Sequence, residues 1–411
     1  MSTAPRPPML SLEEALAKLL APLSPLAETE SLPTFEALGR VLAEDLLSPL
    51  DVPPLANSAM DGYALRAAEV ADEGVVLPVS QRIAAGRPGE PLQPGTAARI
   101  FTGAPLPPGA DAVVMQEQAQ LLDDGRVRID TVPTPRQWVR EQGEDVRRGS
   151  VVLARGSRLT PQALGLAATV GAARLTVVRR PRVALFSTGD ELAMPGEPLR
   201  PGAIYNSNRY TLRGLLAQAG CECTDFGIVP DSLEATRQVL RHAAAAHDLV
   251  LSSGGVSVGE EDHVKPAMRA EGALDLWQVA IKPGKPLAFG HIDRAGARPC
   301  WFLGLPGNPV ASFVTFLLAV RPLLGALQGA STTAPEPVLL TAGFDWPKPD
   351  RRREFLRVRR QPDGRLALYP NQSSGVLSST VWADGVVDNP PGQVIHAGDA
   401  VRFLSFAEWQ S

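Results

Sequence analysis

Cysteine is scarce in this chain: only Cys221, Cys223 and Cys300 occur in 411 residues. Cys221 and Cys223 stand too close for easy disulfide geometry, and no zinc-site spacing is present, so a disulfide scaffold and a structural zinc module are excluded. Net charge is scarce too. Lys+Arg 40 against Asp+Glu 44 leaves a formal charge of −4, a balance that argues against a general nucleic-acid binder. No apolar run approaches membrane-spanning length, and Phe313–Val320 reads as the core of a helix. Met1–Leu10 has no apolar h-region, so no signal peptide is expected and the chain reads as soluble and cytoplasmic. A P-loop, a dinucleotide fingerprint, an internal repeat and a low-complexity tract are all missing.

What is present is a large, core-forming chain. Hydrophobic residues make up 44% of it, and the length implies about three or four folded units. The 39 prolines predict rigid turns and helix starts.

The chain is organised around the stretch from Leu249 to Asp262. Leu249, Val250 and Leu251 suit a short strand buried on both faces. Gly254 and Gly255 then permit a sharp turn, three carboxylates follow, and His263–Ala270 has helical character. A strand, a glycine turn and a helix start form an anion-binding corner, with carboxylates behind it for a divalent cation. The expected guest is a phosphate-bearing small molecule with Mg²⁺.

Before that stretch, Leu12–Leu20 has helical spacing with Ser11 and Glu14 as a capping box, and Glu36–Leu47 looks partly helical. Pro53–Ala64 reads as a stiff loop with an Asp61-Gly62 turn. From Val75 to Leu159, short β-prone runs alternate with Gly and Pro turns, including Val151–Leu153, as in a small β-rich domain. Thr102 and Asp145 lie in it, and taken singly each reads as structural, as does Asp61. Pro161–Val170 is helical and is expected to rejoin the N-terminal helices, making the β-rich unit an insertion.

From Pro181, strands alternate with helices: Val183–Ser187, Asp225–Val229, Leu249–Leu251, Leu276–Ile281 and Trp301–Leu305 are the expected strands. The alternation predicts a parallel sheet with helices on both faces and ligands outside the carboxyl ends of its strands. Five successive loops on that edge carry functional chemistry. Glu191, Asp231 and Asp262 are candidate Mg²⁺ ligands, and Lys282 and Lys285 candidate oxyanion or phosphate partners. Asn308 and Pro309 occupy the N-cap and N1 positions of a helix aimed at the same place. Beyond Pro335 helices are expected to stop, and four strand-like runs indicate a small β-domain.

Taken together, Ser58-Ala-Met-Asp-Gly-Tyr-Ala64, Thr102-Gly-Ala-Pro105, Gly254-Gly-Val-Ser-Val-Gly259 with Asp262, Lys282-Pro-Gly-Lys-Pro286, Gly304-Leu-Pro-Gly-Asn-Pro309 and Gln372-Ser-Ser-Gly375 resemble the motifs of the MoeA family, the molybdopterin molybdenumtransferases, related to the gephyrin E domain. The resemblance spans nearly the whole chain. It implies an N-terminal helical or linker domain (1–50 with 146–178) and an inserted β-rich domain (51–145). It also implies a central αβα molybdopterin-binding domain (179–328) and a C-terminal small β-barrel (329–411). The implied reaction is Mg²⁺-dependent insertion of molybdate into adenylylated molybdopterin with release of AMP, in a homodimer whose sites are shared between subunits.

By the same resemblance, Asp61 and Thr102 face the partner subunit's cleft, and Asp145, Glu191, Asp231 and Asp262 are acidic active-site positions. Gly254, Gly255, Ser257, Pro306, Asn308 and Pro309 line the substrate site. Lys282, Lys285, Ser373 and Arg353 or Arg357 fall where molybdate would be held. The chain has Gly259-Glu-Glu-Asp262 where many members have Gly-Asp-Tyr-Asp, keeping the last carboxylate. Rival readings are a molybdopterin adenylyltransferase on the same central fold, a non-catalytic scaffold of gephyrin type, and a pyrophosphate or nucleotide-sugar hydrolase.

Overall fold

Side-chain alternation in Val183-Ala-Leu-Phe186 sets the two faces of the central sheet. Val183 and Leu185 join one buried cluster, and Ala184 and Phe186 join another, as a period of two requires. The computed structural model describes residues 9–255, 263–294, 296, 298–332 and 335–409. The central sheet has six strands, ordered Glu222–Val229, Arg182–Thr188, Leu249–Ser253, Cys300–Leu305, Pro286–Ile292 and Gly272–Gln278. The first four are mutually parallel, and Pro286–Ile292 runs antiparallel to both its neighbours. The expected Leu276–Ile281 strand is therefore divided. Its first part ends a long antiparallel hairpin, and Ile281–Lys282 crosses to pair with Arg353–Glu354 in another sheet.

Helices cover both faces. Leu233–Ala246 and Val264–Glu271 pack on the Ala184 and Phe186 face. Ser207–Gln218 and the helical run Pro309–Gln328 pack on the other, together with Leu12–Leu20. Each Leu or Phe fully buried there contributes roughly 1.5–3 kcal/mol. Ser11 and Glu14 close the capping box at 3.0 and 2.7 Å. The Pro309–Gln328 run corrects the expectation about apolar length: its 20 residues are long and apolar enough to cross a membrane, but 83% of the apolar window is buried inside the protein. It is a core helix.

The N-terminal segment differs from expectation in two respects. Leu12–Leu20 packs on the central unit, not beside Pro161–Thr169, because its apolar stripe meets the Pro309–Gln328 helix. Glu36–Leu47 is not helical beyond its first residue, which ends a single 3₁₀ turn, Thr34–Glu36, and Leu46–Leu47 pairs with Val151–Leu153. Thr29–Pro33 likewise pairs with Arg174–Val178. Val151–Leu153 thus closes the stem from which the β-rich unit emerges and takes no part in that unit's own sheet. The β-rich sheet contains Gly62–Leu65 at a buried, inner position, where the sequence suggested a continuing loop.

The C-terminal strands Arg353–Arg360, Gly385–Asn389, Ala400–Ser405 and Val338–Thr341 pair in that order, and Leu366–Leu368 joins the free side of the first. A bridge from Ala342 to Leu366 closes the ring into a small barrel around Val358, Val387 and Phe403. One short helix, Ser378–Trp382, departs from the expectation that helices stop. Ile281–Lys282 adds to the barrel at Arg353–Glu354 and so fastens it to the central unit.

Candidate functional site

The carboxyl edge of the central sheet and the barrel enclose a cleft of ≈ 1030 Å³. Glu191, Asp231, Gly254 and Gly255 line it from the loops after three parallel strands, and Pro306, Asn308 and Pro309 from the loop after a fourth. Lys282 and Lys285 enter from the hairpin loop before Pro286, whose strand begins beside the carboxyl end of Cys300–Leu305. Ser373 enters from the barrel. The five loops anticipated from sequence therefore do meet at one edge. Ser257 and Asp262 lie outside the described residues.

The glycine turn is built by backbone constraint. Gly254 and Gly255 have φ of +91° and +70°, and a Cβ on Gly255 would lie 2.3 Å from Val264 Cγ2. Gly254 N–H donates to Leu305 C=O at 3.1 Å, so this amide closes the turn on the neighbouring strand and is not spare for an anion. Asn208, which sequence reasoning missed, ties three loops together. Its amide nitrogen donates to Ser253 Oγ at 2.9 Å and to Gly307 C=O at 2.7 Å. A polar Asn206-Ser-Asn208 run after an apolar pair was the available signal. Asn308 sits at the N-cap of its helix, yet its side chain makes no capping bond. Val310 N–H instead donates to Ser374 C=O of the barrel at 2.9 Å.

The cations are not equivalent. Lys282 Nζ is 3.1 Å from Glu354 and 3.4 Å from Asp350, which fixes its charge at the seam between barrel and sheet. Lys285 pairs with no carboxylate among the described residues, which leaves its ammonium for a ligand. Arg353 does not line the cleft. Its guanidinium is held by buried Asp388 at 2.5 Å and by Glu13, beside a separate cavity. The neighbouring Arg352 lines the cleft instead, paired with Asp350 at 2.8 Å. Arg352 lies in the bend just before the Arg353–Arg360 strand, a boundary the arginine run did not mark.

The Arg352 guanidinium holds the Asp350 carboxyl well below its usual range, despite some desolvation. Arg357 is buried behind the Ser373 loop, donating to Ser373 C=O at 3.2 Å. Burial pushes its guanidinium down to about 10. It supports the loop from behind; the backbone N–H and C=O of Arg357 also bond the Gln372 amide at 2.9 and 3.1 Å.

Glu191 and Asp231 follow neighbouring strands. Among the described residues no three His, Cys, Asp or Glu side chains converge as a ready metal cage. Mg²⁺ needs no such cage, since it keeps several waters and takes one or two carboxylates together with substrate phosphates. Two carboxylates on adjoining loops fit that donor set.

Asp61, Thr102 and Asp145 do not line this cleft. Asp61 and Thr102, 41 residues apart, nonetheless meet: Thr102 N–H and Oγ1 both donate to Asp61 Oδ1 at 2.8 Å. Those bonds, the backbone one first, hold the Asp61 carboxyl below its ordinary value. Asp145 is exposed, and its N–H donates to Val52 C=O at 3.0 Å.

Fold and cleft together define a multidomain protein built on a molybdopterin-binding type of α/β unit: residues 184–326 match the family described as "Probable molybdopterin binding domain". Residues 10–171 match "MoeA N-terminal region (domain I and II)" and residues 340–406 "MoeA C-terminal region (domain IV)". A relative in Haemophilus influenzae, named molybdopterin molybdenumtransferase, is 45% identical over 322 residues, 78% of each chain. One of the same name in Synechococcus elongatus is 38% identical over 409 residues, covering 97% of this chain and 100% of its own. The crystal structure of a molybdopterin biosynthesis moeA protein from Pyrococcus horikoshii OT3 superposes with a TM-score of 0.83 at 29% identity, over 97% of this chain and 100% of that one. The chain belongs to the MoeA family.

Proposed function

We propose that the chain is a molybdopterin molybdenumtransferase, inserting molybdenum into adenylylated molybdopterin with molybdate as donor and releasing AMP, in molybdenum cofactor biosynthesis. The observation that carries this reading is a single cleft with two unlike ends. Glu191 and Asp231 follow the strands at one side of the sheet; Lys285, Arg352 and Ser373 gather where the other side meets the barrel. A substrate with a metal-receiving dithiolene in its pterin half and a phosphoanhydride leading to its nucleotide half requires such a division.

Glu191 and Asp231 would hold Mg²⁺ with the substrate phosphates, and Asp262 is the third candidate on sequence grounds. When bound, Mg²⁺ supplies charge stabilisation as the phosphoanhydride breaks. Lys285 and Arg352 neutralise the molybdate oxyanion, and Ser373 Oγ donates to it. Lys282 holds the barrel at its station through Glu354. Gly254, Gly255, Pro306, Asn308 and Pro309 shape the floor.

We place Asp61, Thr102 and Asp145 in the partner subunit's site of a homodimer. The exposure of Thr102 and Asp145 and the position of all three outside their own subunit's cleft support this. The division is 1–50 with 146–178, 51–145, 179–328 and 329–411; the strand pairing of 29–47 with 151–178 supports the first unit, from which Leu12–Leu20 reaches over to pack on the third. The reading includes a cytoplasmic location and no nucleic-acid or membrane partner. The test is AMP release from adenylylated molybdopterin with Mg²⁺, with and without molybdate. Molybdate-dependent release is expected. ATP-dependent adenylylation of molybdopterin in its place would move the enzyme to the preceding step.

A further inference from the structure

Large apolar side chains that stay exposed are scattered over the described surface, and among them only Ile204 (57% exposed) and Tyr205 (44%) also line the cleft. Single exposed apolar residues need no explanation, but an adjacent exposed pair in the wall of a ligand cleft that also carries Glu191, Asp231 and Lys285 does. Tyr205 is also the one Phe, Tyr or Trp among the described residues that line the cleft.

Its attitude is fixed. Ile204–Tyr205 pairs in parallel with Leu192–Ala193. Ile204 N–H donates to Glu191 C=O at 2.8 Å, and Asn206 N–H to Ala193 C=O at 3.0 Å. The Tyr205 hydroxyl donates to Glu197 C=O at 3.0 Å, so its polar atom is engaged within the loop while the half-exposed aromatic side chain lines the cleft. The ribbon follows the Arg182–Thr188 strand, which neighbours the strand leading to Asp231. The lysine loop enters three strand positions away, beside Pro286, roughly 14 Å at ordinary strand spacing.

On the substrate reading given above, the dithiolene belongs to the pterin half and goes to Lys285, Arg352 and Ser373. The phosphoanhydride then passes the glycine turn, and the nucleotide half falls at the ribbon. We infer that Tyr205, flanked by Ile204, is the stacking platform for the adenine ring of the adenylyl group. Base-on-aromatic stacking of this kind changes affinity on the order of tenfold to a hundredfold when the ring is removed.

The test is calorimetric titration of the full-length protein, wild type, Tyr205→Ala and Tyr205→Phe, with AMP, ribose 5-phosphate and non-adenylylated molybdopterin. Tyr205→Ala is expected to weaken AMP by about tenfold or more while leaving ribose 5-phosphate and molybdopterin unchanged, and Tyr205→Phe to keep AMP affinity. Unchanged AMP affinity in Tyr205→Ala overturns the inference, as does a wild type that binds AMP no more tightly than ribose 5-phosphate. Equal weakening of all three ligands overturns it by showing a structural role, and selective loss of molybdopterin overturns it by giving the ring to the pterin. Molybdate-dependent AMP release by the wild type tests the parent reading separately. That reading stands if release is seen while Tyr205→Ala binds AMP normally, and only the platform then falls.

Discussion

Asp350 shows how one side chain sets the charge of the cleft wall. It meets both Lys282 and Arg352, so of the three cations here only Lys285 enters without a protein counter-charge among the described residues. Because the Arg352 contact lowers the folded-state pKa of Asp350, the group stabilises the fold at every pH above its unfolded value near 4. That contribution is lost as pH falls through the lower folded value. Comparing Asp350→Asn with wild type by denaturant unfolding should show a deficit of about 1 kcal/mol that is constant from pH 7 to about 5 and shrinks below about 4. A deficit that grew with acidification would contradict the assignment.

Among elements, the Gly254-Gly255 turn positions the cleft floor, and its requirement for glycine is steric as well as conformational. Gly255→Ala places a methyl against Val264 in a left-handed backbone, whereas Gly39→Ala, at φ +73°, meets nothing within 4 Å. Both substitutions carry a backbone cost of roughly 1–3 kcal/mol. Gly255→Ala should lose more stability than Gly39→Ala and should also impair AMP release, a comparison that unfolding curves and activity assays settle together. This turn, the capping box at Ser11 and Glu14 and the alternation of strands and helices were all legible in the sequence, because local conformational preference and side-chain period decide them.

Elements governed by distant pairing were not legible. Gly62–Leu65 becomes a strand only because Ala97–Ile100 and Ala112–Met115 flank it. Lys282 pairs with Glu354 across 72 residues, and the choice of Arg352 over Arg353 depends on where a bend gives way to the Arg353–Arg360 strand. Asn208 was missed for a related reason: it matters through two segments that only the tertiary fold brings to it.

At the scale of the whole molecule, the cleft contains only part of the proposed machinery. Asp61 and Thr102 meet on the β-rich unit, outside their own subunit's cleft, a placement that makes sense when a second copy receives them. A homodimer with shared sites predicts complementation. Asp61→Ala and Lys285→Ala proteins should each be nearly inactive, while a remixed 1:1 population should regain about a quarter of wild-type activity, since half the dimers carry one intact site. No recovery after verified subunit exchange would place Asp61 in its own subunit's chemistry or in none.

The measurement that bears most directly on the two-ended cleft is calorimetric molybdate binding to the wild type, Lys285→Ala and Glu191→Ala. Lys285→Ala should weaken molybdate binding by about tenfold or more, the loss of a charge-assisted contact, and Glu191→Ala should leave it unchanged. Equal affinity in wild type and Lys285→Ala, or a loss confined to Glu191→Ala, would contradict the assignment of the oxyanion to the lysine end.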